Sequence, residues 1–196
     1  MSTAATAHYT STGLDTRKIA FWAFIGSECL LFGSLIATYL SYEGKSVVGP
    51  YPGEILDIPL TSISTFVLLM SSLAMVLALD GVTKGDNKQA RIWLATTVLF
   101  GAIFLGFQAY EFQHFVHNGL TLSTNLFGST FFVLTGCHGL HVLGGVIWLS
   151  SLLIQSYRNK LGPDKAMTVE IAGLYWHFVD VVWIVIFTVV YLIQRG

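Results

Sequence analysis

Charge is what this sequence has least of. Of its 196 residues only 11% are Asp, Glu, Lys or Arg, against about 25% in soluble domains. That scarcity excludes an ordinary soluble domain. The net charge is -1 and no basic cluster is present, so nucleic-acid binding has no electrostatic basis. Cysteine is almost missing. Cys29 and Cys137 both fall inside apolar runs and read as small buried side chains rather than a disulfide or a metal pair. No cleavable leader is expected: the first apolar run is too long for one, and no small-residue cleavage site follows it. Residues 1–18 are rich in Ser, Thr and Ala and read as a polar N-terminal tail.

What is present is apolar length. Hydrophobic residues make up 54% of the chain. Five runs, 19–42, 60–79, 92–115, 126–157 and 167–193, reach the ~20 residues a membrane-spanning helix needs. The expected fold is an all-α integral membrane bundle of five transmembrane helices, one domain over 19–196, with no room for a separate soluble domain. The fourth run is longer than a bilayer requires and predicts tilt or a helical extension. The first connection holds Gly49, Pro50, Pro52, Gly53 and Pro59, which marks a loop. Arg17, Lys18, Lys84, Lys88, Arg91, Arg158, Lys160 and Lys165 fall on one side if the helices alternate, with only Lys45 and Arg195 on the other. The positive-inside rule then places the N-terminus in the cytoplasm and the C-terminus outside.

Against this background the ionisable groups inside the runs stand out, because a polar side chain at mid-membrane is costly and marks a functional-site hypothesis. Glu28 lies about nine residues into the first run, ~14 Å deep at the helical rise. It shares a face with Phe21, Phe24, Phe32 and Leu35, away from the small residues Gly26, Gly33 and Ala37. It either bonds a neighbouring helix as a structural group or is a protonatable group facing lipid or a partner subunit. Gln108 and Glu111 share a face near the end of the third run, where Tyr110, Phe112 and Phe115 fit an aromatic belt. In the fourth run His138 and His141 are i, i+3. In the fifth, Glu170, Gly173, His177 and Asp180 form one stripe. A short connection makes these two helices antiparallel neighbours. Asp180 is expected to meet His138 or His141 across the seam, with Gly136, Gly139, Gly144 and Gly145 permitting close approach.

Three chemistries compete for these groups. His138, His141, His177 and Asp180 could hold a metal or haem, although an i, i+3 His pair is an awkward chelate compared with i, i+4. They could belong to a proton relay, although no continuous chain of such groups crosses the membrane. They could be a structural polar clasp between helices.

At these residues the sequence resembles subunit III of the haem–copper respiratory oxidases. The resemblance is carried by Phe127-Gly128-Ser129-Thr130-Phe131-Phe132-Val133, Gly136-Cys137-His138-Gly139-Leu140-His141-Val142 and Trp176-His177-Phe178-Val179-Asp180-Val181-Val182-Trp183. Gln108-x-x-Glu111 and Ser27-Glu28-Cys29 match as well. It runs from the first helix to the C-terminus. The chain is shorter than the mitochondrial type and begins at that form's third helix, like the short bacterial subunits.

The resemblance implies a non-redox subunit with no catalytic residue, no metal and no cofactor of its own. Haems and copper would lie in partner subunits. It implies direct packing on catalytic subunit I, with subunits II and IV as further candidate partners, in the plasma membrane of a bacterium. The complex would be a proton-pumping cytochrome c oxidase reducing dioxygen to water. Glu28 would be the family's intramembrane carboxylate. Glu111, His138, His141, His177 and Asp180 would form its buried polar cluster, and Glu170, Trp176 and His177 would line a phospholipid site. A subunit of a quinol oxidase or of a nitric oxide reductase complex is the alternative within this resemblance. Outside it stands a membrane metalloenzyme built on His138, His141, His177 and Asp180.

Metal analysis separates the two classes. The purified chain is expected to show no haem spectrum and no stoichiometric copper, and Asp180→Asn is expected to change metal content only if the metalloenzyme reading holds.

Overall fold

The computed structural model describes residues 15–193, and every regular element among them is helical. Most of the polar tail expected over 1–18 lies outside the described residues, as does Arg195. The tail's last three residues are helical instead: α1, Thr16–Tyr42, starts where Asp15 caps it, accepting from the Arg17 backbone N–H at 2.8 Å. The Arg17 guanidinium beside Asp15 holds that carboxyl below its ordinary range. A short α2, Pro52–Ile55, interrupts the Pro- and Gly-rich loop. Then follow α3 (Ile58–Lys84), α4 (Asn87–His117), α5 (Leu126–Tyr157) and α6 (Ala166–Phe187). A 3-10 turn, Pro163–Lys165, leads into α6, and a π-helical turn, Thr188–Leu192, extends it. The five long helices are each long and apolar enough to cross a membrane.

The connection expected over 80–91 shrinks to a two-residue turn. Gly85 takes the left-handed conformation at φ 75° and its N–H closes α3 on the Gly81 and Val82 carbonyls, a conformation glycine adopts without a Cβ penalty. Asp86 then caps α4 through the Lys88 and Gln89 N–H groups, each at 3.0 Å. Asp80, Lys84, Lys88 and Arg91 therefore sit on helix rather than loop. The long stems of Lys84, Lys88 and Arg91 let their charges reach the interface while the backbone stays bonded. Gly81 has no room for a side chain: a Cβ there would lie 2.7 Å from the Ala90 amide nitrogen. The hairpin is closed by backbone contact.

Helices α3, α4, α5 and α6 form a ring in which each touches the next and α6 returns to α3. Helix α1 stands outside the ring against α5 and α6. The ring's centre is Trp176, fully buried. Its ring reaches Gly101 of α4 and Gly145 of α5, where a Cβ would lie 2.6 and 2.7 Å from indole carbons. Its Nε1 donates to Ser71 Oγ of α3 at 2.9 Å. One side chain from α6 thus touches all three other helices. Trp183, two turns on, repeats the arrangement with Thr65 Oγ1 at 2.9 Å and Phe104 at 4.9 Å between centroids.

Helix α1 buries only Ile25, Phe32 and Tyr39, spaced by seven. Its small-residue face does not serve close packing inside this chain: a Cβ at Gly26 or Gly33 would meet nothing within 4 Å. Of the glycines expected to thin α5, Gly145 receives Trp176 and Gly139 lies against the Gln108 amide.

Overpacking the indole slot should therefore cost about 1–3 kcal/mol. Gly145→Val and Gly101→Val are expected to lower the unfolding midpoint of the purified chain, read by tryptophan fluorescence, while Gly33→Ala should leave it unchanged.

Candidate functional site

Lipid offers no hydrogen bonds, so each polar group in the spans must find a protein partner or remain costly. The structure gives Glu28, Glu111 and His177 hydrogen-bond partners on other helices and leaves His138 and Asp180 without one. Glu28 is not isolated on an apolar face: its Oε2 lies 3.0 Å from His141 Nε2. The two residues are 14% and 20% exposed, so the pair sits at the rim where α1 meets α5. His141 Nδ1 lies 2.8 Å from the Cys137 carbonyl oxygen, and a carbonyl can only accept, so Nδ1 carries a proton. The Nε2–Oε2 contact then needs a second proton, held by either group. The pair is bonded both as acid and neutral imidazole and as carboxylate and imidazolium. Tyr175 Oη donates to the His141 carbonyl oxygen at 2.9 Å, and the Phe32 ring stands edge-on to the imidazole at 5.0 Å.

The pairing of Asp180 with His138 or His141 expected from the helix seam does not form. His141 is committed to Glu28. His138 is completely buried, stacked on Trp183 at 4.9 Å and edge-on to Phe104 at 5.9 Å, and neither of its nitrogens makes a hydrogen bond. Asp180 is buried with both oxygens unbonded. Ser72 neighbours it, but that hydroxyl is engaged with His177 Nδ1 at 2.5 Å. Aromatic packing, rather than a carboxylate, fills the space around His138.

Glu111 is buried near the far end of α4. Its Oε1 accepts from Thr61 Oγ1 at 2.6 Å and from Tyr191 Oη at 3.4 Å, tying α4 to α3 and to the end of the last span. Gln108 donates from Nε2 to the Thr135 carbonyl at 2.7 Å, and its Oε1 is unbonded.

The groups named as lipid contacts differ among themselves. Glu170 is half-buried and paired with Lys18 at 2.5 Å, joining the start of α6 to the start of α1. His177 is half-buried. Trp176, expected against lipid, is sealed in the ring, because Gly101 and Gly145 close on its benzo ring and Ser71 takes its N–H. Among the described residues no three His, Cys, Asp or Glu side chains come together as a metal-holding group.

Sequence reasoning missed the α3 partners: Thr61, Thr65, Ser71 and Ser72. A signal existed. Thr61, Ser64, Thr65, Leu68, Ser71, Ser72 and Met75 fall at helical three-four spacing in an apolar run, which puts a stripe of hydroxyls on one face.

Residues 2–194 match the family described as Cytochrome c oxidase subunit III. The chain is 45% identical over 180 residues to a probable quinol oxidase subunit 3 of Staphylococcus saprophyticus, covering 91% of this chain and 90% of that one. It is 44% identical over 174 residues to a cytochrome c oxidase subunit 3 of Bacillus sp. (strain PS3), covering 89% and 84%. It is 43% identical over 178 residues to a quinol oxidase subunit 3 of Bacillus subtilis (strain 168), covering 91% and 87%.

The partners set the mutational pattern. Thr61→Val leaves a buried carboxylate short of a donor and should cost about 1–3 kcal/mol. Asp180→Asn keeps an acceptor oxygen beside Ser72, whose hydroxyl is already engaged with His177, and should be close to neutral. Denaturant unfolding of the two purified variants checks the contrast. A loss at Asp180 as large as that at Thr61 would contradict the separate-partner arrangement.

Proposed function

From the premise that this chain belongs to the cytochrome c oxidase subunit III family, we propose that it is the non-redox subunit of a proton-pumping terminal oxidase, packed directly on catalytic subunit I in the bacterial cell membrane. The observation that supports this is the family match over residues 2–194, together with five helices of spanning length. Oxygen reduction to water belongs to the complex. Haems and copper lie in the partner subunits, and this chain supplies scaffold. Its N-terminus faces the cytoplasm, on the Lys and Arg distribution. Subunits II and IV are further partners.

The electron donor is read as cytochrome c. The motifs at Gly128-Ser129-Thr130-Phe131-Phe132 and Tyr175-Trp176-His177 lean that way. Quinol is the second reading, favoured by the relatives named quinol oxidase subunit 3. A related role beside nitric oxide reductase is the more distant alternative.

The chain's own contribution to turnover is assigned to Glu28. A carboxylate paired with His141 at the lipid rim can move one proton between two groups without breaking its hydrogen bond. That gives the pair a means to support proton supply to subunit I. Glu170 and His177, half-buried on α6, remain the candidates for a phospholipid contact on that helix.

Affinity purification through this chain is expected to bring down a haem-bearing subunit I. A copurifying subunit with a copper domain would mark the cytochrome c type, one without it the quinol type, and no haem protein at all would contradict the proposal. Glu28→Gln should leave the haem content of the assembled oxidase unchanged while shortening its active lifetime or lowering its pumping. Unaltered lifetime and pumping across pH would make the Glu28–His141 pair purely structural.

A further inference from the structure

Thr61 has one hydroxyl proton and two acceptors for it. Its Oγ1 lies 2.6 Å from Glu111 Oε1 and 2.8 Å from the Asp57 carbonyl oxygen. A carbonyl can only accept. Both bonds therefore form together only when Glu111 brings a proton of its own: the acid donates to Thr61 Oγ1, and Thr61 donates to Asp57. With Glu111 ionised, Thr61 turns its proton to the carboxylate and the Asp57 carbonyl loses that bond. We propose that Glu111 is a proton-binding site, held as a neutral acid near neutral pH and loaded from the aqueous phase at the end of the bundle away from most of the Lys and Arg residues.

The surroundings favour the acid over the ion. Besides Thr61, the donor that reaches Glu111 is Tyr191 Oη at 3.4 Å, outside the ~2.5–3.0 Å range of a hydroxyl bond. The small cavity beside Glu111 is lined by no Lys or Arg, but by a second carboxylate, Asp57, with Tyr110 and His114. Asp57 sets a like charge against Glu111. His114 brings no opposite charge. Its Nε2 lies 3.0 Å from Asn118 Nδ2, an amide nitrogen that only donates, so Nε2 accepts and the ring is neutral. From the other elements, Tyr39 of α1 faces Tyr191, and α5 presents the Phe131 ring to Phe115 and Tyr191. An ion buried without a counter-charge is costly in a membrane bundle, whereas an acid with its proton bonded is not.

The proton has a way in and out. The cavity has a volume of about 60 Å³, room for a few waters. Glu111 is only 6% exposed, while Asp57 and His114 on the cavity wall are exposed, so the cavity joins the buried acid to the interface. Asp57 Oδ1 takes the Leu60 N–H at 3.1 Å and its carboxylate is the first acceptor on the route. A proton leaving Glu111 Oε1 passes to that carboxylate or to water, and the bonding electron pair stays on Oε1. The π-helical turn Thr188–Leu192 carries Tyr191 to the same point, so ionisation puts an unpaired charge where α3 starts, α4 ends and the last span finishes. On the oxidase reading this is the side on which pumped protons emerge, and the charge of Glu111 then follows their accumulation; that meaning rests on the reading, whereas the chemistry of the site does not.

The test is infrared spectroscopy of the full chain in nanodiscs, with the side-chain carboxyl of glutamate labelled isotopically so that aspartates such as Asp180 do not contribute. In a Glu28→Gln background, which removes the other intramembrane glutamate of mid-span, a labelled band of protonated carboxyl is expected near neutral pH. It should shift in heavy water, vanish as the pH is raised and be lost when Glu111→Gln is added. Thr61→Val should move it to the frequency of an unbonded acid, and Thr61→Ser should keep it in place. Because Thr61 bonds no other described glutamate, the Thr61 pair makes the assignment if Glu111→Gln does not fold. Leu60→Trp, which fills the cavity, should slow the heavy-water shift several-fold. Absence of a labelled acid band near neutral pH, a band that both Glu111→Gln and Thr61→Val leave unchanged, or a heavy-water shift that Leu60→Trp does not slow would overturn the proposal. The readout needs neither a partner subunit nor turnover, so its failure would leave the oxidase assignment untouched, and the reverse also holds.

Discussion

The arrangement of this bundle depends on the fit of one indole into two glycines. In a membrane the hydrophobic effect does not drive helices together, since lipid is as apolar as leucine. Shape and hydrogen bonds must do it. Trp176 supplies both: a flat ring set against Gly101 and Gly145 gains dispersion contacts with two helices, and its N–H to Ser71 adds a directional bond to a third. Trp183 does the same for Thr65 and Phe104 one stage further along. Two indoles on one face of α6 therefore fix that helix's rotation against α3, α4 and α5. The closed ring follows from that rotation.

The polar groups are organised by the same ring, and by the cost of an unsatisfied group in lipid. Hydroxyls of α3 take up most of the demand: Thr61 for Glu111, Ser71 and Thr65 for the indoles, Ser72 for His177. Short hydroxyl side chains suit this because they can also bond the preceding turn of their own helix, so none is left idle if its partner moves. His138 and Asp180 are the exceptions. Both are buried without hydrogen bonds, and His138 is held by aromatic faces alone. They carry much of the sequence motif that points to the family, yet neither makes a hydrogen bond within this chain.

Helix α1 obeys a different rule. It is held by three apolar side chains spaced by seven, by Lys18–Glu170 at one end and by Glu28–His141 at mid-span. Its glycine face is open. Among the five spans α1 is thus the one least covered within this chain, and the Glu28–His141 bond is its polar link to the ring at mid-span.

Composition and run length by themselves determined the membrane class, the number of spans and which end of the bundle is basic, because twenty apolar residues in a row have few other soluble or folded outcomes. Motif spacing singled out Glu28, Glu111, His138, His141, His177 and Asp180. It could not say which of them touch. Periodicity gives the face of one helix, whereas a hydrogen bond depends on how two helices are rotated, and that rotation is set by the indole slot. A seam drawn between neighbouring α5 and α6 made Asp180 the natural partner of a histidine. Tertiary structure gave His141 to Glu28 of α1 instead, because α1 lies in the groove beside α5, at a distance of 113 residues along the chain. It also moved Trp176 from the lipid face to the centre. The polar turn at Gly85 and Asp86 looked like a long loop because its charges were counted as loop residues, and only the packing of Gly81 on Ala90 decided that helix continues through them.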